Sequence, residues 1–125
     1  MVASIGHYVD NKPVAGKSGR TGDITNPATG EVTAKVAFAS VEEIDAAVQI
    51  AKKAQLAWAA TPPMRRQRVM FNLKGLIEKR IDDLARHLSL EHGKTFDDAK
   101  GEVGRGIEVV EFACGIAHHL RGDFS

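Results

Sequence analysis

The chain has one cysteine, Cys114, in 125 residues, and that alone excludes an internal disulfide framework. It lacks a surplus of either charge. With 17 basic and 16 acidic side chains the formal charge is +1, too little for a field that would recruit nucleic acid or an acidic membrane surface. It also lacks long apolar runs. The stretch from Val109 to Ala117 is interrupted by Glu111 and falls far short of the roughly 20 residues that a membrane span needs. The leading residues MVASIGHYVDNK contain no apolar run of signal-peptide length and no cleavage pattern, so a reducing, cytoplasm-like compartment is expected. Internal repeats and low-complexity segments are missing too. What is present, 43% hydrophobic and 26% charged residues, is the composition of an ordinary globular domain.

The first 39 residues read as β-rich and residues 40–121 as helical. Ile5 to Val9 and Lys12 to Val14 flank an Asp10-Asn11 turn, which predicts an opening hairpin. After the Gly/Ser-rich stretch 15–22 the chain resumes an extended form at Ile24. Asn26-Pro-Ala-Thr-Gly30 is a turn, and Val32, Ala34, Val36 and Phe38 follow at period two. From Ser40 the period changes to 3.6. Ser40 and Glu43 form a capping box, and Ile44, Ala47, Val48, Ala51, Ala54 and Trp58 make the expected buried stripe. Thr61-Pro62-Pro63 ends that helix and offers an N-cap and a first-turn proline to the next, which carries Val69, Leu73, Leu76 and Ile77, with Met64, Met70 and Phe71 expected in the core. Ile81, Leu84, Ala85 and Leu88 continue the pattern, through a kink or a break near Arg80, to a glycine stop at Gly93. Thr95 with Asp98 opens one long helix predicted to run to about Arg121, before Gly122.

At about 100° per residue that last helix is apolar on two sides. Phe96, Ala99, Val103, Ile107, Val110, Cys114 and Ala117 share one stripe; Val109, Phe112, Ile116 and Leu120 share another on the opposite side. A helix with two apolar faces is normally buried between layers, so further chain is expected to cover it. Arg105 lies in line with Val109 and Phe112. A guanidinium in such a place calls for an anion, either a structural Asp/Glu or an anionic ligand gripped by its planar fork, unless it snorkels to water. Gly101, Gly104 and Gly106 surround it; glycines inside a helix lower stability, which points to a close approach of backbone or ligand or to plain surface tolerance.

Several groups that resemble catalytic motifs do not qualify. The run Gly101-Glu-Val-Gly104-Arg-Gly106 has the glycine spacing of a dinucleotide fingerprint reversed and sits inside a helix. Cys114 falls on the core stripe, where a thiol is inert packing. His118-His119, His7, His87 and His92 lack the i, i+4 partner of a metal motif and read as surface residues. Asp82-Asp83 and Asp97-Asp98 sit near helix starts, where the helix dipole favours carboxylates. Arg65-Arg66-Gln67-Arg68 has no interleaved aromatics and reads as a solvated face.

In order, the segments His7-Tyr-Val-Asp-Asn-Lys12, Asn26-Pro-Ala-Thr-Gly-Glu31 and Ala54-Gln-Leu-Ala-Trp58 resemble the N-terminal region of the aldehyde dehydrogenase superfamily, across essentially the whole chain. Glu91-His-Gly-Lys-Thr95, Asp97-Asp-Ala-Lys-Gly-Glu102 and Gly104-Arg-Gly-Ile-Glu-Val-Val-Glu-Phe112 narrow the resemblance to its coenzyme A-acylating methylmalonate-semialdehyde dehydrogenase branch, which acts in valine, thymine and inositol catabolism. The resemblance implies an α/β fold, in which this chain supplies the N-terminal β-hairpin, strands and outer helices of the Rossmann-like cofactor-binding domain. The catalytic and oligomerisation parts would then lie elsewhere. It implies an oxidoreductase that uses NAD and coenzyme A to turn methylmalonate or malonate semialdehyde into propionyl- or acetyl-CoA, works as a homotetramer, and has its nucleophile beyond this segment. The segment alone is expected to be inactive, to bind no cofactor or metal, and to have the rest of the enzyme chain as its partner. One residue carries over by position: Arg105, the arginine of the Gly-Arg-Gly-Ile-Glu motif, as a group that recognises the substrate carboxylate, with Val109 and Phe112 as pocket walls. Two rival readings stay open, an aldehyde dehydrogenase without coenzyme A dependence and a free-standing helical module that binds a partner through the second stripe.

Overall fold

Residues 3–120 and 122–123 are described by a computed structural model, in which the chain forms two compact units, 1–57 and 58–125. In the first, β1 (Ala3–Ile5) runs parallel to β5 (Val32–Ala37), and β4 (Thr21–Thr25) pairs antiparallel on the other side of β5. A separate two-stranded ribbon joins β2 (His7–Val9) to β3 (Lys12–Val14), with His7 opposite Val14 and Val9 opposite Lys12. Its turn works because Asp10 and Asn11 accept φ of 55° and 58°, the left-handed pair that matches strand twist in a two-residue hairpin. The expected Ile5–Val9 strand is therefore divided. Ile5 pairs with Val36 in the three-stranded sheet, and the chain changes sheets at Gly6, where a Cβ would stand 2.5 Å from the Val14 carbonyl oxygen.

Between β4 and β5, the side chain of Asn26 accepts from the Ala28 N–H at 2.9 Å, and its backbone N–H donates to the Glu31 carbonyl at 2.8 Å. Among the described residues of this unit, the inward position Ala34 is the buried one. Helix α1 (Val41–Ala60) begins with the expected capping box: the Ser40 N–H donates to Glu43 Oε2 at 2.9 Å, and the Glu43 N–H donates to Ser40 Oγ at 3.3 Å. Its apolar stripe is a correction. Ile44, Val48, Ala51, Ala54 and Trp58 are all exposed and Ala47 is half-buried; among the described residues no strand of the first unit packs closely along this face, and the hairpin leaves a cavity beside Ile44 and Ala47.

The second unit is helical: α2 (Pro63–Lys79), α3 (Ile81–His92), α4 (Phe96–Cys114) and α5 (Ile116–His119), with α4 packed on both α2 and α3. Pro62, not Thr61, occupies the position before α2; it has no side-chain acceptor, and its carbonyl takes the N–H groups of Arg65 and Arg66. The face of α2 is also corrected. Val69, Leu73, Leu76, Met64 and Phe71 are exposed, whereas Gln67, Met70, Lys74 and Ile77 are half-buried. The pattern is broken, rather than kinked, at Arg80 (φ −119°, ψ 20°). Gly93 stops α3 at φ 81°, its N–H returning to the Ser89 carbonyl at 2.8 Å. The long final helix does not run unbroken: Gly115 (φ −90°, ψ 2°) leaves helical geometry and separates α4 from α5, and Arg121 lies outside the described residues. Ala85, Ala99 and Cys114 form the buried centre of this unit.

Candidate functional site

Thr95 starts α4, its hydroxyl accepting the Asp98 N–H at 3.4 Å, so the residues that follow hold their helical spacing from a defined origin. The first stripe of α4 does what its pattern requires: Ala99 and Cys114 are buried and Val103, Ile107, Val110 and Ala117 half-buried, with only Phe96 left at the edge. The second stripe is exposed at Val109 (70%), Phe112 (65%) and Leu120 (57%), while Ile116 is half-buried. Arg105 belongs to that open side, with a side chain 66% exposed, so within this chain its charge is not desolvated.

Its anion is a helix neighbour. Arg105 Nη2 lies 3.3 Å from Glu102 Oε1, one turn earlier. The same oxygen is 2.6 Å from Lys94 Nζ, which also reaches Asp98 Oδ2 at 2.7 Å. Lys94 stands just before the helix, where the dipole disfavours a cation, and is only 14% exposed; its two carboxylates are what hold it there. Asp98 and then Glu102 raise the Lys94 ammonium above its ordinary value, and the Lys94 hydrogen bond is the leading cause that lowers both carboxyls. Lys94 had no place among the candidates read from sequence. Its spacing to Asp98 (i, i+4) and Glu102 (i, i+8) was the available signal, hidden because Lys94 precedes the helix.

Among the described residues, nothing beyond the glycines' chain neighbours and their own helix backbone lies within 4 Å of where a Cβ would stand at Gly101, Gly104 or Gly106, so these residues do not make the close approach that the glycines would allow. The neighbouring apolar side chains Val109 and Phe112 share the open face of Arg105, although Phe112 also stacks on His119 at 4.7 Å between ring centroids. Other candidates resolve as structure. Asp82 pairs with Lys100 at 2.7 Å and ties α3 to α4, and Asp83 pairs with Arg86 at 3.0 Å. Among the described residues Arg66 Nε and Gln67 Oε1 are buried without hydrogen-bond partners, and Arg66 lines a cavity of about 200 Å³ with Trp58, Met70 and Ile116, so half of the basic run is not a solvated face.

The first unit contains a cavity of about 500 Å³ bounded by Tyr8, Val14, Ile44, Ala47 and Ile50. Glu43, which lines it together with Asp10, already accepts the Ser40 N–H and the Lys17 N–H at 2.9 Å, which lower its carboxyl against the opposing effect of burial. In the first turn of α1 the Glu43 N–H is engaged by its own capping box, and Gly101 to Gly106 lie inside α4 rather than in a loop between strand and helix. Among the described residues no cluster of His, Cys, Asp and Glu could hold a metal ion, and no helix is long and apolar enough to cross a membrane.

The model of the aldehyde dehydrogenase family matches residues 14–125. This chain belongs to that family. Among its relatives, malonate-semialdehyde dehydrogenase 3 of Geobacillus kaustophilus is 47% identical over 93% of the chain and 24% of its own length. The mouse mitochondrial acylating methylmalonate-semialdehyde/malonate-semialdehyde dehydrogenase is 41% identical over 98% of the chain and 23% of its own length. Among solved structures, a Sinorhizobium meliloti protein complexed with NAD superposes with a TM-score of 0.94 at 51% identity, covering 100% of this chain and 26% of that one. The methylmalonate-semialdehyde dehydrogenase of Oceanimonas doudoroffii superposes with a TM-score of 0.92 at 40% identity, covering 98% and 25%. The family fold is thus the α/β arrangement expected, with its β-rich lead and following helices. The chain spans about a quarter of the length of the curated relatives that it matches.

Proposed function

We propose that this chain is the leading segment of an NAD-dependent, coenzyme A-acylating oxidoreductase acting on methylmalonate or malonate semialdehyde, and that Arg105 recognises the substrate carboxylate. For malonate semialdehyde the overall change is aldehyde, NAD⁺ and coenzyme A in, acetyl-CoA, carbon dioxide and NADH out. The observation that carries this reading is the position of Arg105: a fork-shaped cation 3.3 Å from Glu102 and otherwise open, beside the apolar Val109 and Phe112. A short semialdehyde has a carboxylate for the guanidinium and a carbon chain for the apolar surface, and bidentate pairing would set the distance to the aldehyde. Support comes from relatives named for these two substrates, from the word acylating in the mouse relative's name, and from the NAD bound to the Sinorhizobium protein.

Aldehyde oxidation through a thioester needs a thiolate, an oxyanion pocket and a nicotinamide site. Cys114 is 3% exposed against the helical core and cannot act as that thiolate. The segment's part in the reaction is therefore recognition, and alone it turns over no aldehyde. The full enzyme would assemble as a homotetramer in the cytoplasm. In the full-length protein, Arg105→Leu is expected to lower kcat/KM for malonate semialdehyde by about a hundredfold, the loss of a charge-assisted pair of about 3 kcal/mol, and to affect propanal far less. Equal losses on the two aldehydes would rule out carboxylate recognition.

A further inference from the structure

We infer that Lys94 is a specificity-determining residue: by engaging Glu102 it keeps Arg105 open to an incoming carboxylate. The inference rests on the reading of Arg105 given above and adds to it a residue that does not touch substrate. Two cations compete for one oxygen, Glu102 Oε1. Lys94 Nζ is 2.6 Å from it, the distance of a charge-assisted hydrogen bond, and Arg105 Nη2 is 3.3 Å away, beyond that range. Glu102 is thus committed to Lys94 and only loosely to Arg105, whose guanidinium has five N–H donors.

The geometry behind this is local. The left-handed turn at Gly93 (φ 81°) folds the chain between α3 and α4, and Lys94 spans the first two turns of α4, touching Asp98 and Glu102 at once. Exposure follows the same division: Lys94 is 14% exposed and Arg105 66%. A more enclosed cation keeps its carboxylate partner better than a solvated one, because water competes less for the charges. Without Lys94, Glu102 would face Arg105 alone. The two would close into an i, i+3 pair, and a substrate carboxylate would have to displace an anion already attached to the helix.

The test uses the full-length enzyme and the ratio of kcat/KM for malonate semialdehyde to that for propanal. Lys94→Met is expected to lower this ratio about fivefold, the weight of one partly exposed ion pair, through KM rather than kcat. Adding Glu102→Gln removes the competing anion and should return the ratio to within about twofold of the parent. A structural role for Lys94 would depress both aldehydes together and would not be rescued by the second change. Should Lys94→Met fail to fold, Lys94→Arg, which retains a cation, is expected to keep the ratio, and Glu102→Gln alone to keep or raise it. A fall of more than about threefold in Glu102→Gln would show that Glu102 holds Arg105 in place and would overturn the inference. An unchanged ratio in Lys94→Met, beside a lost preference in Arg105→Leu, would overturn the role of Lys94 and leave that of Arg105 standing. Equal losses on both aldehydes in Arg105→Leu would remove both.

Discussion

Gly104→Ala separates what this chain needs at the turn around Arg105 from what the complete enzyme needs there. Gly104 lies in the middle of α4 with, among the described residues, nothing beyond its chain neighbours and its own helix backbone within 4 Å of where a Cβ would stand, and its φ is not in the left-handed region. Alanine therefore enters without strain. It restricts the unfolded chain and improves helix propensity, for a gain of about 1 kcal/mol. With a urea dependence of about 2 kcal/mol per molar, the unfolding midpoint of the 125-residue chain should rise by about half a molar, followed by far-ultraviolet circular dichroism. In the full-length enzyme the same methyl group stands next to Arg105, and turnover of malonate semialdehyde should fall while propanal turnover changes less. Gly101→Ala, one turn earlier and equally open, supplies the control, with the same gain in stability. A lower midpoint for Gly104→Ala in the chain alone would refute the open geometry; undiminished carboxylate-substrate turnover would refute a functional reason for the glycine.

Three other outcomes follow from the packing and the caps. Ser40→Ala removes the acceptor for the Glu43 N–H and should cost about 1 kcal/mol in urea denaturation. Ala99→Leu places three extra carbons where no surface is accessible between α4 and its neighbours, and should cost about 1–3 kcal/mol, read as a lower thermal midpoint. The carboxyls of Glu43, Asp98 and Glu102 are held below their ordinary values, so they bind fewer protons folded than unfolded. Their contribution is present above those ordinary values of 4.5, 3.8 and 4.5 and is lost as pH falls through the lower folded ones. A pH series of thermal midpoints should decline on that acid side, and less so in Glu43→Gln.

Features set by neighbouring residues were legible in the sequence. The Ser40–Glu43 capping box, the Asp10-Asn11 turn, the Gly93 stop and the Thr95 cap each need only a few consecutive residues, and each forms as expected. Features that depend on a partner distant along the chain were not legible. Ile5 looked like the start of a hairpin strand, but it takes Val36 as its neighbour, and nothing in the residues around Gly6 announces the change of sheet. Gly115 falls inside the helix expected to run to about Arg121, yet it ends α4. Arg105 was found because a cation on an apolar stripe breaks a pattern. Lys94 breaks none, since its importance comes from a turn that carries it back over α4.

The apolar stripes make the same point more sharply. Ile44 to Trp58 on α1, Val69 to Ile77 on α2, and the two sides of α4 all show helical spacing, yet only the Ala99–Cys114 side of α4 is well covered, because α2 and α3 reach it. Period 3.6 counts the faces that avoid water; it does not say which element covers each one. Exposure at Val109 and Phe112 is therefore compatible with a wall of the proposed carboxylate site, as Arg105 is compatible with its cation. The two-aldehyde comparison is the decisive one, because coverage by any apolar surface would protect Val109 and Phe112 alike, whereas only an anion in place makes Arg105→Leu selective between a semialdehyde and propanal.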